Sequence, residues 1–288
     1  MIKEKKQIVI GVVFAVVLIV VVATAVLLMR PRQPESTQMT TTAAITTQPV
    51  TEPTTQLTEE DSGPPVQQNP FTAEDFRYEG DYMICTAAES MVGVDVSSYQ
   101  GVIDWQQVKA SGVEFVMIRV GGRGYGIEGY LYADKMADAN YRGAKEAGLL
   151  VGAYFFSQAI TPDEAREEAE YALQLTKDWK LDLPIVYDWE HIDGEVRTSY
   201  VNDWTLTSCT IAFCQTIEEA GEKPMIYVSP WFGNLKLHRL NKYPQWIALY
   251  KDEMTYKNRM DMWQYTCTGS VPGIQGDVDL NVYIVPQA

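Results

Sequence analysis

Histidine and cysteine are scarce in this chain, and their scarcity limits the chemistry that it can perform. Only two histidines occur, His191 and His238. The four cysteines show no metal-ligand spacing: Cys85, Cys209, Cys214 and Cys267. Because neither a His-x-x-x-His motif nor a Cys-x-x-Cys pair is present, a catalytic zinc site is not expected. The sequence indicates no metal ion and no other cofactor.

The cysteines could still form disulfides. Cys209 and Cys214 fall on a predicted helix, where five residues turn through about 140° and leave their side chains pointing apart. A free cysteine packs as a small hydrophobic residue, so buried free thiols are expected. A disulfide between Cys85 and Cys267 is the alternative, and the sequence does not decide between them.

Sequence motifs for nucleotide binding and for serine hydrolases are also missing. The chain contains no Gly-x-x-x-x-Gly-Lys-Ser/Thr loop and no serine-centred elbow. Its formal net charge is −15, and its basic residues do not cluster in the globular part. Since phosphate backbones are bound by basic faces, nucleic acid is excluded as a partner. We expect the acidity to favour solubility outside the cell.

A long apolar run near the N-terminus predicts a transmembrane helix. Residues 8–29 contain no charged residue, and as a helix they would span about 33 Å at 1.5 Å per residue, enough to cross a bilayer core. A signal peptide cleaved near Ala25 is the alternative, but the apolar run continues to Met29. Three lysines precede the run and two arginines follow it, a slight bias toward a cytoplasmic N-terminus. The sequence thus predicts a single-pass membrane protein, and the expectation that its large domain is extracellular depends on what that domain does.

The next part of the chain has the composition of a tether. Residues 31–75 are rich in Thr, Pro and Gln. Such a segment buries too little surface to offset the entropy lost on ordering, so it is expected to be disordered. We therefore divide the chain into a cytoplasmic stub and membrane helix at 1–30, a linker at 31–75, an N-terminal extension at 76–90 and a folded domain at 91–288.

Short apolar strands alternate with amphipathic helices in the folded domain. Strands are predicted at residues 92–96, 115–120, 149–156, 184–188, 224–228, 245–250, 260–265 and 278–284. Helices are predicted at 132–147, 161–179 and 204–220, the second beginning with Thr161 as a cap, Pro162 and Glu164. Eight strands alternating with helices over roughly 200 residues predict a parallel, TIM-like (β/α) barrel of the α/β class. Because the domain is short for a full barrel, the helices near its C-terminus are expected to be reduced.

Two carboxylates end one of the predicted strands. In Tyr187-Asp188-Trp189-Glu190, side-chain alternation along a strand points Asp188 and Glu190 the same way, with Cα atoms about 6.5 Å apart. Mutual repulsion and burial would let one acid keep its proton while the other stays ionised, as in glycosidases. Acidic residues make up 38 of the 288 positions, so an Asp-x-Glu pair also arises by chance in solvated loops.

Two further acids are predicted at the same end of the barrel, because active sites of such barrels lie at the C-terminal ends of the strands. Asp95 interrupts the apolar first strand, where a buried carboxylate is costly unless it has a partner or a function. Arg119 on the next strand is a candidate partner that would make Asp95 purely structural. Asp279 lies in the last strand, near a glycine, where Asp is also an ordinary turn residue.

Several motifs occur in one order between residue 91 and residue 288. They are Gly93-Val94-Asp95-Val96-Ser97, Tyr99-Gln100-Gly101, Ile103-Asp104-Trp105, Phe115-Val116-Met117-Ile118-Arg119, Gly152-Ala153-Tyr154-Phe155-Phe156, Asp188-Trp189-Glu190, Trp246-Ile247-Ala248-Leu249-Tyr250, Trp263-Gln264-Tyr265 and Val278-Asp279-Leu280-Asn281. Together they resemble the glycoside hydrolase family 25 lysozymes, or muramidases. That family cleaves the β-1,4 bond between N-acetylmuramic acid and N-acetylglucosamine in bacterial peptidoglycan. The resemblance implies a cell-wall hydrolase that binds peptidoglycan glycan strands.

The resemblance also implies a role for each candidate residue. Glu190 would be the general acid, and Asp188 would orient or polarise the 2-acetamido group of the substrate. Asp95 and Asp279 would support them. The substrate-binding residues would be Tyr154, Tyr227, Trp231, Tyr250, Trp263 and Arg119. Each of these aromatic residues, taken singly, is more often part of a core than of a sugar-binding site.

Several alternatives stay open. The mechanism is either substrate-assisted, with the acetamido oxygen as nucleophile, or inverting, with a carboxylate that activates water. Phe155 stands where many relatives have His, which puts a polar contact at one subsite in doubt. The competing functions are a chitinase-like N-acetylhexosaminidase, an inactive wall-binding module and a metal-dependent deacetylase, the last weakened by the scarcity of histidine. The catalytic domain is expected to act as a monomer.

Overall fold

A computed structural model of the chain describes residues 65–229 and 237–286. The predicted membrane helix at residues 8–29 and the linker before residue 65 lie outside these described residues. Within the described residues, no helix is both long enough and apolar enough to cross a membrane.

Strands and helices alternate through most of the described chain. The strands are β1 (Phe76–Glu79), β2 (Tyr82–Cys85), β3 (Ser90–Val96), β4 (Phe115–Arg123), β5 (Leu131–Ala133), β6 (Leu150–Ser157), β7 (Ile185–Trp189), β8 (Pro224–Val228), β9 (Gln245–Ala248), β10 (Met262–Gly269) and β11 (Val278–Ile284). The helices are α1 (Trp105–Ala110), α2 (Ala137–Glu146), α3 (Pro162–Thr176), α4 (Asp203–Glu219) and α5 (Leu237–Leu240). Residues 249–261 and 270–277 join the last three strands without a helix, which confirms the predicted loss of helices near the C-terminus.

Eight of the strands close into a barrel. β3, β4, β6, β7, β8, β9 and β10 run parallel in this order, and β11 closes the barrel between β10 and β3. β11 is antiparallel to both of its neighbours. The TIM-like barrel is confirmed, but the prediction of an all-parallel sheet is wrong for this last strand. The reason is the short connection at residues 270–277, because a parallel connection needs a longer crossover that usually contains a helix.

The barrel has two buried apolar layers. One fills its interior and includes Phe115, Met117 and Trp246, while the other lies between the strands and the helices. Alternation along each strand sends successive side chains to opposite layers. Gly93 on β3 shows how tightly the interior is filled, since a Cβ at this position would lie 2.3 Å from the ring of Phe115. Only glycine therefore fits at the position next to this ring.

The helix boundaries follow local sequence signals. The hydroxyl of Thr161 accepts the Glu164 N–H at 3.3 Å, so Thr161 caps α3 and Pro162 occupies its first position, as predicted. Helix α2 begins at Ala137, five residues later than the predicted 132. Residues 131–133 instead form β5, which pairs antiparallel with the end of β4. The apolar pattern at this point reflects an additional edge strand rather than a longer helix.

The N-terminal hairpin β1–β2 packs against the outside of the barrel. Met83 and Cys85 are buried, and the ring of Phe76 meets that of Trp263 edge-to-face at a centroid distance of 5.1 Å. Residues before the hairpin are also bound, since the Arg259 N–H donates to the carbonyl of Gln67 at 2.8 Å. The folded unit therefore begins earlier than the predicted boundary at residue 91. Gln67 lies in the segment that the sequence assigned to the linker at 31–75.

We expect a fragment of residues 65–288 to fold cooperatively and a fragment of residues 91–288 to be severely destabilised or to aggregate. Each large apolar side chain that becomes buried contributes about 1.5–3 kcal/mol. Loss of Phe76 and Met83, together with exposure of Trp263, would thus approach the whole stability of a typical domain, about 5–15 kcal/mol. Denaturant unfolding of the two fragments checks this. Equal stability would contradict the hairpin's role in the core.

The four cysteines are all free. Cys85, Cys209 and Cys214 are buried, which confirms the prediction of buried free thiols for these three residues. Cys267 is exposed, and the alternative disulfide between it and Cys85 is not formed.

Candidate active site

The four acids predicted from the sequence lie at one end of the barrel. Asp95 is the last but one residue of β3, and Asp188 is the last but one of β7, with Glu190 directly after that strand. Asp279 is the second residue of β11 and pairs across the ladder with Asp95. Because β11 is antiparallel, its beginning lies beside the C-terminal ends of the parallel strands. An acid from the start of one strand therefore joins acids from the ends of two others.

A cleft of about 170 Å³ opens at this end of the barrel. Its lining includes the four acids, Arg119 and three of the predicted tyrosines, Tyr154, Tyr227 and Tyr250. Residues not selected from the sequence complete it: Ser97, Tyr99, Gln100, Trp246 and Gln264. Asp95 and Asp188 are buried, whereas Glu190 and Asp279 are partly exposed. Two acids thus lie deep in the cleft and two nearer its opening.

Two buried amides hold Asp95. Nε2 of Gln264 and Nδ2 of Asn281 each donate to Oδ2 of Asp95 at 2.8 Å. Arg119, the partner considered from the sequence, instead donates to Asp134 at 2.8 Å. Burial raises the pKa of Asp95 well above its usual range, although the two amide donors lower it. The explanation of Asp95 as the partner of a structural arginine is therefore wrong.

The same two amides form a network that crosses several strands. Oε1 of Gln264 accepts the hydroxyl of Tyr227 at 2.7 Å and that of Tyr250 at 3.0 Å. Nε1 of Trp246 donates to Oδ1 of Asn281 at 2.8 Å. Because these partners come from different elements, the network fixes both amides, and with them the acid that they hold. Sequence reasoning missed their role, although amides within apolar barrel strands were an available signal.

Asp188 is buried in the cleft with one oxygen unpaired. Its Oδ1 has no hydrogen-bond partner among the described residues. Burial, then the charges of Glu190 and Asp95, raises the pKa of Asp188 well above its usual range, while Arg119 lowers it. A buried acceptor without a donor is costly, so a ligand that brings a donor to this oxygen gains binding energy there. The acetamido N–H of an N-acetylated sugar is such a donor.

The charge of Asp279 acts on Glu190. Burial, and then the charge of Asp279, raises the pKa of Glu190 above its usual range. Burial also raises the pKa of Asp279 to about 6. A carboxyl with a raised pKa keeps its proton at mildly acidic pH, as a general acid requires. Glu190 therefore has the electrostatic environment of a proton donor.

We expect Asp279→Asn to move the alkaline limb of the pH profile of kcat/KM to lower pH. Removal of the Asp279 charge lowers the pKa of Glu190, which then loses its proton at lower pH. Measurement of kcat/KM from acidic to neutral pH checks the direction. The exposed Asp277→Asn is a matched control that should leave the limb in place. An unmoved limb in Asp279→Asn would show that this carboxylate does not influence the acid.

Trp263, one of the predicted substrate-binding residues, does not line the cleft. Trp263 is fully buried outside the cleft, where it packs on Phe76 and its indole N–H donates to the carbonyl of Leu249 at 2.8 Å. The prediction that Trp263 lines the groove is therefore wrong, because side-chain alternation in β10 turns its neighbour Gln264 toward the cleft instead. Trp231 lies outside the described residues.

Arg119 is held in place by a buried acid that sequence reasoning missed. Asp134 accepts from Nε of Arg119 at 3.0 Å and from Nη2 at 2.8 Å, and its Oδ2 also accepts the Ser98 N–H at 3.0 Å. The guanidinium lies 5.2 Å from the ring centroid of Tyr99, whose side chain is highly exposed. Arg119 is thus fixed beside the cleft with a positive charge that favours the ionised form of Asp188.

The chain is similar in sequence to several known proteins. The family model "Glycosyl hydrolases family 25" matches residues 94–274. The uncharacterized protein YegX of Escherichia coli K12 is 31% identical over 215 residues, which cover 68% of this chain and 71% of YegX. Lysozyme M1 of Streptomyces globisporus is 30% identical over 207 residues, which cover 66% of this chain and 67% of that protein.

A solved structure gives the same result for the fold. The modular autolysin LytC from Streptococcus pneumoniae superposes with a TM-score of 0.59 at 25% sequence identity over 68% of this chain. The chain spans 47% of LytC, which is about half its length. The barrel, the cleft with its four carboxylates and the match over residues 94–274 therefore show that this chain belongs to glycosyl hydrolase family 25 and is a glycosidase.

Proposed function

We propose that the chain hydrolyses the β-1,4 bond between N-acetylmuramic acid and N-acetylglucosamine in bacterial peptidoglycan. The observation that carries this proposal is the pair at the end of β7, where Glu190 has a raised pKa beside the unpaired, buried oxygen of Asp188. Both sugars of peptidoglycan carry a 2-acetamido group that can supply the missing donor. The similarity to Lysozyme M1 and to LytC, which was solved in complex with a synthetic peptidoglycan ligand, supports this substrate class.

The arrangement supports a substrate-assisted mechanism. Glu190 donates its proton to the glycosidic oxygen as the bond to C1 breaks, and the acetamido carbonyl oxygen attacks C1 to give a cyclic oxazolinium intermediate. Oδ1 of Asp188 accepts the acetamido N–H and orients that carbonyl. As positive charge develops on the acetamido group, the ionised form of Asp188 is favoured and stabilises it. Water, deprotonated by Glu190, then opens the ring at C1 and returns the proton to Glu190.

Hydrolysis of two substrates tests the proposal. The chain is incubated with purified peptidoglycan and, separately, with chitin oligomers, which lack the lactyl group of muramic acid. We expect new reducing ends from peptidoglycan at a rate well above that from chitin oligomers. Faster release from chitin oligomers would indicate a chitinase-like enzyme instead of a muramidase. No release from either substrate would favour an inactive wall-binding module.

We also propose that the enzyme is tethered to the cell membrane, with residues 1–7 in the cytoplasm and the barrel outside. The uncharged apolar run at residues 8–29 and the Thr/Pro/Gln-rich segment after it support this arrangement. A peptidoglycan hydrolase also has its substrate outside the membrane. Protease added to intact protoplasts should release the barrel domain. If the domain is fully protected from a protease that is shown to be active, the topology is the opposite of the one proposed.

A further inference from the structure

A second, larger groove of about 780 Å³ adjoins the catalytic cleft. Tyr250 lies in the lining of both, and its side chain is 52% exposed. The N-terminal hairpin contributes Tyr78 and Asp81 to the groove, and β10 contributes Thr266 and Cys267. The family match begins at residue 94, so the hairpin side of this groove is built from a part of the chain outside the matched region.

We propose that this groove binds a distal part of the peptidoglycan glycan strand, as sugar subsites beyond the catalytic cleft. This inference rests on the proposed function. The catalytic cleft, at about 170 Å³, holds only a small part of a polysaccharide. A bound strand must therefore continue over the neighbouring surface, and Tyr250, which lines both the cleft and the groove, places the groove next to the cleft.

The aromatic and hydroxyl side chains of the groove suit a sugar ligand. The ring of Tyr78 is 49% exposed but fixed, because it meets Tyr265 edge-to-face at 6.1 Å and its hydroxyl donates to Asp252 at 3.2 Å. A ring that is already fixed loses little conformational entropy when a ligand stacks on it. The hydroxyls of Thr266 and Thr268 lie 3.2 Å apart, and hydroxyls both donate to and accept from sugar hydroxyls.

The charges of the groove favour the glycan over the stem peptides of peptidoglycan. Asp81 and Asp252 are present, but Lys251 lies in the same lining and offsets part of their charge. A charged stem peptide would therefore face both negative and positive side chains in the groove, and their opposite charges would not together attract it. Uncharged sugar hydroxyls can donate to either carboxylate.

Substrate length gives the first test. The full chain, its Tyr78→Ala variant and its Tyr78→Phe variant are compared on peptide-free glycan strands and on a GlcNAc–MurNAc tetrasaccharide. We expect Tyr78→Ala to lower kcat/KM on the long strands by about five- to tenfold, as for loss of one aromatic contact, with no change on the tetrasaccharide. Tyr78→Phe keeps the ring and should retain most of the activity. Arg77→Ala, at the exposed neighbouring position of β1, is the matched control and should change neither value.

The exposed thiol gives a second test that does not depend on the folding of a variant. Cys267 is exposed in the groove, whereas the other three cysteines are buried, so a bulky maleimide should alkylate Cys267 selectively. The label should lower kcat/KM on long strands and leave the tetrasaccharide rate unchanged. Peptide-free glycan strands should slow the labelling. Cys267→Ser should make the enzyme insensitive to the reagent.

The outcomes separate this inference from the proposed function. If the wild-type chain does not cleave peptidoglycan, the proposed function itself fails. If it cleaves peptidoglycan but Tyr78→Ala and the alkylated enzyme keep the full preference for long strands, the groove is not a glycan subsite. A defect seen only with peptide-bearing strands would assign the groove to a stem peptide and would also overturn the inference.

Discussion

Glu190→Gln is expected to lower the rate of peptidoglycan hydrolysis by a factor of about 10² to 10⁴, the usual contribution of general acid catalysis. Glutamine keeps the shape of the side chain but has no proton to give to the leaving oxygen. Glu190 is partly exposed and follows β7 directly, so the barrel should fold as before. Initial rates of reducing-end release and a thermal unfolding curve measure both effects.

Two controls separate proton donation from other losses. Glu195→Gln changes an exposed acid in the same connection between β7 and α4 and should leave the rate unchanged. An aryl glycoside of the GlcNAc–MurNAc disaccharide, with a leaving group that needs no proton, should lose that group in the first turnover of Glu190→Gln at a rate much closer to wild type. If a well-folded Glu190→Gln variant retains near wild-type activity on peptidoglycan, the acid must be sought at Asp95 or Asp279.

Asp188→Asn is expected to lower kcat by about 10² to 10³, comparable with the loss of one preorganised electrostatic contact to the transition state. Asparagine is nearly isosteric but carries no charge to stabilise the developing oxazolinium. It can also present an N–H to the acetamido group where the wild-type oxygen accepts one. The pH profile should retain its alkaline limb, because Glu190 is still present to donate the proton.

A cyclic inhibitor distinguishes the two mechanisms. A thiazoline analogue of the reacting sugar resembles the oxazolinium intermediate and should inhibit the wild-type enzyme far more strongly than the parent sugar does. The preference should fall at least about tenfold in Asp188→Asn, the factor that corresponds to loss of one charge-assisted hydrogen bond. An inverting mechanism predicts no such preference in either protein.

The stability of Asp188→Asn should also depend on pH in a defined direction. Burial raises the pKa of Asp188 in the folded state, so the acid stabilises the fold at low pH and this contribution is lost as the pH rises through the raised pKa. Asparagine does not titrate. The free energy of unfolding of the variant relative to wild type should therefore increase from acidic to neutral pH, and a decrease would contradict burial of this acid.

The sequence predicted those parts of the fold that depend on local pattern. Eight barrel strands and the cap at Thr161 could be read from alternation and capping, because these are properties of neighbouring residues. The direction of β11 depended on the length of its connection, which the pattern of strands alone did not reveal. The hairpin β1–β2 was missed because the sequence does not show that it contacts Trp263 and Tyr265, and only these contacts identify it as part of the folded unit.

The geometry of the site was likewise predicted where residues are close together in the sequence, and partners that are far apart in the sequence were missed. Asp188 and Glu190 are two residues apart on one strand, so their shared direction followed from the backbone. The partners of Asp95 did not, because Gln264 and Asn281 are 169 and 186 residues away along the chain. Trp263 was assigned to the groove on residue type alone, without deciding which side of β10 faces the cleft. The type of a residue thus suggested its chemistry, whereas the side of the strand on which it lies decided whether it faces the cleft.

The identity of the sugar at each new reducing end shows which glycosidic bond the chain cleaves. Purified peptidoglycan is digested with the chain, reduced with borohydride and analysed by mass spectrometry, with Glu190→Gln in parallel. We expect reduced N-acetylmuramic acid at the new ends of the wild-type digest and almost none in the variant digest. Reduced N-acetylglucosamine at those ends would contradict the proposed muramidase activity, because the enzyme would then cleave the other glycosidic bond of the strand.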